Sequence, residues 1–307
     1  MSTKSGHHSS WQYIMEDTPE NITSAGVPFR LPGSITGDTP MEVNVNAKTF
    51  RALHQPSETD MRSISAIEAS KNEYRWSVAY VPFKRVTTTQ YDFRHFFGLA
   101  LNNTSSTAAT GGRTYGTALT TATRTFTIFK EIDNLQHQFN GCRIGRFTMR
   151  SSIDNPVECE AEGFASASTF SNLAKTDATS LTDATPFMWQ DIRIYIDGTL
   201  ATNCTAFEFS VNNNVEPSHV LGNRDPQEVL NRGRDVELTI TRQYTDIDEY
   251  TDAKNNTAKS FTVVLDDATD ANIMFRNCKY DTHPIPAAID GVLTHVLRIK
   301  AEHIGLN

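Results

Sequence analysis

The clearest patterning in the chain lies between Ala206 and Tyr244. Phe207, Phe209 and Val211 stand on one parity, and Glu208, Ser210 and Asn212 on the other. That alternation describes a strand with one dry face and one wet face. Val236, Leu238, Ile240 and Tyr244 alternate in the same way with Glu237, Thr239, Thr241 and Gln243. The connection between the two strands carries helix signals. Asp225 suits the N-cap, Pro226 the first helical position, and Glu228 the third residue of a capping box. Gly233 is placed to end that helix in a left-handed conformation. The expected unit is strand, turn with one short helix, strand.

The same period recurs along the chain. Met41 to Asn46 alternates as a short strand, and Tyr74, Trp76, Val78 and Tyr80 share one face of a second. At Gln90 to Leu101 the period changes, and Phe93, Phe96, Phe97 and Ala100 fall at helical spacing. Their aromatic stripe is read as core. Phe126, Ile128 and Ile132 resume a strand. Cys142–Arg150 and Pro156–Ser168 form a pair joined around Asp154-Asn155-Pro156, a turn signal. In the second of these, Glu158, Glu160 and Glu162 lie opposite Val157, Cys159 and Ala161. Ile192, Ile194 and Ile196 lead to a hairpin turn at Asp197-Gly198. Asp246 to Lys259 reads as a polar helix. Strands follow around Phe261–Leu265, Ile273–Phe275 and Leu297–Ala301.

Composition narrows the functional classes. The 307 residues allow a sizeable core. The 28 basic and 36 acidic residues give a net charge of −8, without a basic run for gripping nucleic acid. Asn102 to Thr121, built of Thr, Ser, Ala and Gly, predicts a long flexible loop. Residues 1–35, polar and then spaced by prolines, predict an N-terminal arm, with residues 36–307 as the folded domain. Met1 to Ser10 lacks the apolar stretch of a signal peptide, and no apolar run approaches the roughly 18 residues that span a bilayer. Synthesis in a cytoplasm is therefore expected. Cys142, Cys159, Cys204 and Cys278 form no C-x-x-C pair and read as buried free thiols.

Motifs for chemistry are missing. The sequence holds no G-x-S-x-G, H-E-x-x-H or Walker loop, so no enzyme and no cofactor are expected. Asp246, Asp248 and Asp252 fail the calcium-loop pattern, since Thr251 and Thr257 stand where its glycine and glutamate belong. The adjacent His7 and His8 read as solvated residues of the arm.

A family resemblance then becomes specific. Val211-Asn212-Asn213-Asn214-Val215-Glu216-Pro217, then Leu221-Gly222-Asn223-Arg224-Asp225-Pro226, then Gly233-Arg234-Asp235-Val236 resemble the signature of the major tail tube proteins of long-tailed, siphovirus-like viruses of bacteria or archaea. In that family a strand ending in Asn-x-Asn leads to Leu-Gly-Ser/Asn-x-x-Pro, then to a strand led by glycine. Asn214, Glu216, Pro217, Leu221, Gly222, Asp225, Pro226 and Gly233 are the signature-turn residues. Gly141 to Ile144, Pro156 to Phe164 and Ile194 to Gly198 carry the resemblance outward, to about residues 123–303. Residues 1–60 match loosely, and residues 61–122 look peculiar to this member.

The resemblance implies a mainly β fold, a tail-tube-type antiparallel β-sandwich or partial barrel with a flanking α-helix and long loops. Oligomerisation would close it into a β-barrel tube of stacked hexameric rings. The tube would conduct viral double-stranded DNA into the host without binding it tightly. Other implied partners are the tape measure protein, the tail terminator and the baseplate or distal tail proteins. The protein would reside in the virion tail, after assembly in the host cytoplasm. Four strands per subunit would line the lumen: Cys142–Arg150, Pro156–Ser168, Ala206–Asn212 and Asp235–Tyr244. Glu158, Glu160, Glu162, Glu208, Ser210, Asn212, Glu237, Thr239, Thr241 and Gln243 would face it. The pattern leaves open which face of 142–150, with Arg143, Arg146 and Arg150, turns inward. A carbohydrate- or surface-binding β-sandwich module is the alternative, disfavoured by the lack of a secretion signal.

Overall fold

The computed structural model describes residues 9–16, 29–31, 33–36, 40–51, 64–84, 93–101, 125–132, 135–171, 185–243, 248–266, 271–282 and 294–306. The polar stretch at 102–121, His7, His8, Tyr244 and Asp246 lie outside the described residues. Strands dominate. The first five are β1 (Ser9–Met15), β2 (Phe29–Arg30), β3 (Gly33–Ile35), β4 (Met41–Arg51) and β5 (Ile64–Pro82). Helix α1 (Phe93–Ala100) is followed by β6 (Phe126–Ile132), β7 (Leu135–Ser152), β8 (Glu158–Ala165) and β9 (Ala167–Ser171). Next come β10 (Arg193–Ile196), β11 (Thr199–Leu200), β12 (Cys204–Asn212), β13 (Val215–Ser218), β14 (Glu228–Asn231) and β15 (Asp235–Gln243). Helix α2 (Asp248–Asn255), β16 (Lys259–Val264), β17 (Asn272–Thr282) and β18 (Thr294–Leu306) complete the order.

The eighteen residues of β7 serve two sheets. Its first half pairs with β6 and β9, and β6 continues through β1 to β2. Its second half pairs with β8 and β12. There the sheet runs β5-β8-β7-β12-β15-β18-β17-β16-β10-β11, with β3 and β4 on the far edge of β5. The whole is a large antiparallel sheet curled into a half-barrel, with little helix. Residues 9–15, within the segment expected as an arm, form a strand paired along its whole length with β6, and Trp11, Tyr13 and Ile14 are buried.

Two glycines make the shared strand possible. Gly141 has φ +63°, a left-handed kink at the division between the halves. Gly163, across the ladder on β8, cannot carry a side chain, since a Cβ there would lie 1.9 Å from the Arg143 carbonyl oxygen. The pairing of β7 with β8 also slips between Ile144 and Arg146. That slip exchanges the parity: Cys142 and Ile144 are buried before it, Phe147 and Met149 after it. Arg146, Thr148 and Arg150 consequently all turn to the outer face.

A buried carboxylate holds the kink. Glu16, 1% exposed at the end of β1, accepts hydrogen bonds from the Thr125 and Thr127 hydroxyls and from the Gly141 N–H at 2.8 Å. The core then fills the curl. Phe97 of α1 touches Phe147 of β7 (4.8 Å between ring centres) and Phe209 of β12 (5.6 Å). Its neighbour Phe96 touches Tyr13 of β1, Phe126 of β6 and Tyr80 of β5. The helix expected from the aromatic spacing therefore lies between the two sheets, and residues 96–100 are buried on every side. Each such ring contributes about 2–3 kcal/mol of burial, plus about 1 kcal/mol for an edge-on pair.

The β4–β5 hairpin extends beyond this core. Met41, Val43 and Val45 alternate as expected, but Val43 and Val45 are 44% and 50% exposed, because no described residue covers that part of the ribbon.

Glu16→Ala should lower stability by about 3 kcal/mol, because it strands the buried Thr125 hydroxyl and Gly141 N–H and leaves Thr127 only a 3.3 Å bond to Asn140 Oδ1. Thr127→Val should cost about 1 kcal/mol. Urea unfolding curves distinguish these outcomes, and equal midpoints for Glu16→Ala and the parent protein would refute the clamp.

Candidate functional site

The four strands expected to act together are neighbours, in the order β8-β7-β12-β15. Registers align their outer residues into rungs. Glu158, Arg150, Glu208 and Thr239 form one; Glu160, Thr148, Ser210 and Glu237 the next; Glu162, Arg146, Asn212 and Asp235 the third. Thr241 and Gln243 continue the outer parity of β15 towards its C-terminal end. The reverse face is the core, with Cys159, Ala161, Phe147, Met149, Phe207, Phe209, Leu238 and Ile240 all buried.

The rungs hold six carboxylates and two guanidiniums, a net −4. Charge is distributed by strand. Strand β7 carries the arginines: Arg150 stands between Glu158 and Glu208, and Arg146 between Glu162 and Asn212. Arg150 Nε donates to Glu158 Oε2 at 3.0 Å. Both side chains are well exposed, so the pair contributes about 0–1 kcal/mol and chiefly sets the local charge. Arg298 and Lys300 of β18 face Thr239 and Glu237 across the next ladder and add a basic margin.

Closure through the free edges of these four strands is not available. The outer edge of β8 is bonded to β5 and that of β15 to β18.

The signature turn departs from the expected helix. Glu228–Asn231 is strand β14, paired residue by residue with Val215–Ser218 of β13. Asp225 is not an N-cap. Its carboxylate accepts hydrogen bonds from the Tyr74 hydroxyl and from Asn72 Nδ2 at 2.7 Å, both on β5. The Asn72 N–H also donates to the Arg224 carbonyl at 2.9 Å. With its cap engaged elsewhere, a helix of one or two turns has too little support, whereas Val229 buries completely as a strand residue. Pro226 is buried, Glu228 is exposed and caps nothing, and Gly233 is not in the left-handed region. Glu216 pairs with Arg232 at 2.6 Å across the hairpin, Pro217 stands opposite Val229, and Leu221 and Gly222 form its exposed tip.

The three asparagines after β12 do different work. Asn212 lies on the outer face and its side chain accepts from the Asn214 N–H at 3.0 Å. Asn214, at φ +47°, donates to Asp235. Asn213 is 1% exposed. Its Nδ2 donates to the Ala100 carbonyl at the end of α1 and to the Ile144 carbonyl, and its Oδ1 accepts from Arg234 Nε at 3.0 Å. It joins helix, shared strand and turn at one point. Sequence reasoning passed over Asn213, although it continues the dry parity of Phe207, Phe209 and Val211. A polar residue at a core position was the available signal.

The remaining candidates have structural partners. Asp252 pairs with Lys259 at 2.9 Å, and Lys259 also reaches Asp197 at 3.2 Å. Among the described residues no three His, Cys, Asp or Glu side chains gather to hold a metal ion. Cys142, Cys159 and Cys278 are free and buried, and Cys204 is half-buried. Burial pushes the Cys278 thiol up to about 12 and the Cys142 thiol well above its usual range.

Residues 81–294 match a protein-family model described as the phage tail tube protein. No curated protein matches the chain.

The Asp225 latch makes its own prediction. Burial, and then the Asp225 carboxylate, raise the Tyr74 pKa to about 12, and the Tyr74 hydroxyl and Asn72 hold Asp225 below the usual carboxylate range. A raised tyrosine stabilises below its unfolded value near 10 and loses that contribution as pH rises through about 12. The depressed carboxylate stabilises above its unfolded value near 4 and loses that contribution as pH falls through its lower folded value. Tyr74→Phe should remove an ultraviolet tyrosinate step near pH 12 and flatten the loss of stability between pH 10 and 12. An unchanged alkaline titration would rule the latch out.

Proposed function

The chain belongs to the phage tail tube proteins, and from that premise we propose that its copies close into hexameric rings whose stack carries the viral DNA, with the β8-β7-β12-β15 face lining the lumen. Family membership makes it a structural component of the virion tail that assembles with itself into a tube. The family is generally non-enzymatic.

One observation carries the proposed lumen assignment: four adjacent strands present a continuous polar face with an excess of carboxylates. A conduit for a polyanion works best when it does not grip. Each phosphate contact by a free basic group releases counterions and tightens binding, and a run of them would stall the passing strand. On this face the arginines are confined to β7, Arg150 between Glu158 and Glu208 and Arg146 beside Glu162. The surplus of four negative charges on the rungs repels phosphate. The seams between copies fall outside β8 and β15, so each copy contributes a wall panel wider than four strands, with β5 and β18 at its sides. The tape measure protein, the tail terminator and the baseplate or distal tail proteins would be its further partners, as expected of the family.

The triple variant Glu158→Lys, Glu160→Lys, Glu162→Lys turns the rungs from −4 to +2. These residues face open water, so rings and tubes should still form, as exposed charges contribute little to folding. DNA delivery by phage carrying the variant should fall about tenfold or more, with a marked dependence on salt. Failure at ring formation would place the stripe at a subunit interface. Normal infection by fully assembled particles would contradict the lumen assignment.

A further inference from the structure

The tip of the β13–β14 hairpin presents its apolar residues outward. Leu221 is completely exposed and Val220 is 46% exposed. The tip is held in this state by a braced loop. Besides the Asp225 latch, the Gln227 N–H donates to the Ser218 carbonyl at 2.7 Å, and Asn223 Oδ1 accepts from the Asp225 N–H. Gly222, at φ +88°, makes the turn. A rigidly presented leucine forfeits burial in its own chain and is preorganised to bury elsewhere.

The opposite end of the molecule carries a matching recess. A cleft of ≈ 320 Å³ is lined by Ile153, Trp189, Ile192, Leu200 and Phe207. Ile153, Leu200 and Trp189 are 48%, 43% and 38% exposed. The ladder fixes the relative position. The cleft adjoins the Ser152–Ala206–Thr241 rung, while the hairpin emerges beyond the Arg146–Asn212–Asp235 rung. About 20 Å of strand separates the two rungs. Charge is complementary as well. Exposed Arg224 lies three residues from Leu221, and exposed Asp154 adjoins Ile153.

The geometry points to a knob-and-socket contact between successive rings: the Val220–Leu221 tip of one copy seats in the Ile153–Trp189–Leu200 cleft of a second copy, with Arg224 meeting Asp154. Knob and socket lie on different surfaces, so the contact is heterologous and does not close on itself. Repeated, it extends an assembly in one direction and gives every ring the same polarity. This contact rests on the stacked-ring reading above.

Mixed-subunit cross-linking tests it. In a Cys204→Ser background, copies carrying Leu221→Cys are mixed with copies carrying Ile153→Cys, assembled and oxidised. Covalent dimers should form in the mixture and not in either population alone. Both substituted positions are exposed, so folding should be kept. Tubes that form without the mixed dimer, or dimers among Leu221→Cys copies alone, overturn the contact while leaving the tube reading intact. Separately, Leu221→Asp should raise the concentration needed for tube growth by about tenfold or more and leave unstacked rings in micrographs. Unchanged tube growth overturns the contact. A parent protein that forms no rings at any concentration overturns the ring reading and this contact together.

Discussion

Strand β7 has to satisfy two sheets at once, and the rest of the molecule is arranged around that demand. A strand pairs with one neighbour on each edge. To pair with β6 and β9 in one half and with β8 and β12 in the other, β7 must turn between them. Gly141 supplies the kink, and the slip at Gly145 resets the parity. Each device exposes main-chain groups that need partners. Glu16 takes the Gly141 N–H, and Asn213 donates to the Ile144 carbonyl. Buried polar groups of this kind are costly when left unpaired, so the two clamps couple the kink to β1 and to the turn after β12. The space opened by the bend is filled by α1, whose end is also held by Asn213.

The outer face follows from the same device. Without the slip in β7, Arg146, Thr148 and Arg150 would fall on the core side and the rungs would break at the middle strand. With it, a polar surface spans β8, β7, β12 and β15 without interruption. Arg150 lies between Glu158 and Glu208, and Arg146 between Glu162 and Asn212, so the surface is charged with carboxylates in excess. Stability and the proposed conduction therefore depend on one bulge.

Much of this was legible in the alternation. The dry parities of β12 and β15, the Asp197-Gly198 turn and the aromatic spacing of α1 all correspond to observed elements, because side-chain period and burial are locally coupled. The face of β7 was not legible, since a one-residue slip is invisible to periodicity. The turn after β12 misled for a different reason. Asp225, Pro226 and Glu228 satisfy every local rule for starting a helix, yet the partners that decide their fate, Tyr74 and Asn72, lie some 150 residues earlier. Tertiary hydrogen bonds overrode a local cap. The family match also begins at residue 81, so part of the stretch read as peculiar to this member, α1 included, falls within it.

If the three rungs line a channel, their side chains face the axis of the tube. Electron cryomicroscopy of assembled tubes, at a resolution that shows side chains, measures this directly. Glu160, Thr148, Ser210 and Glu237 should then stand on the inner wall, facing the axis, with the edge of β8 still bonded to β5 and that of β15 to β18 within each copy. Those four residues on the outer surface, or buried between neighbouring copies, would contradict it.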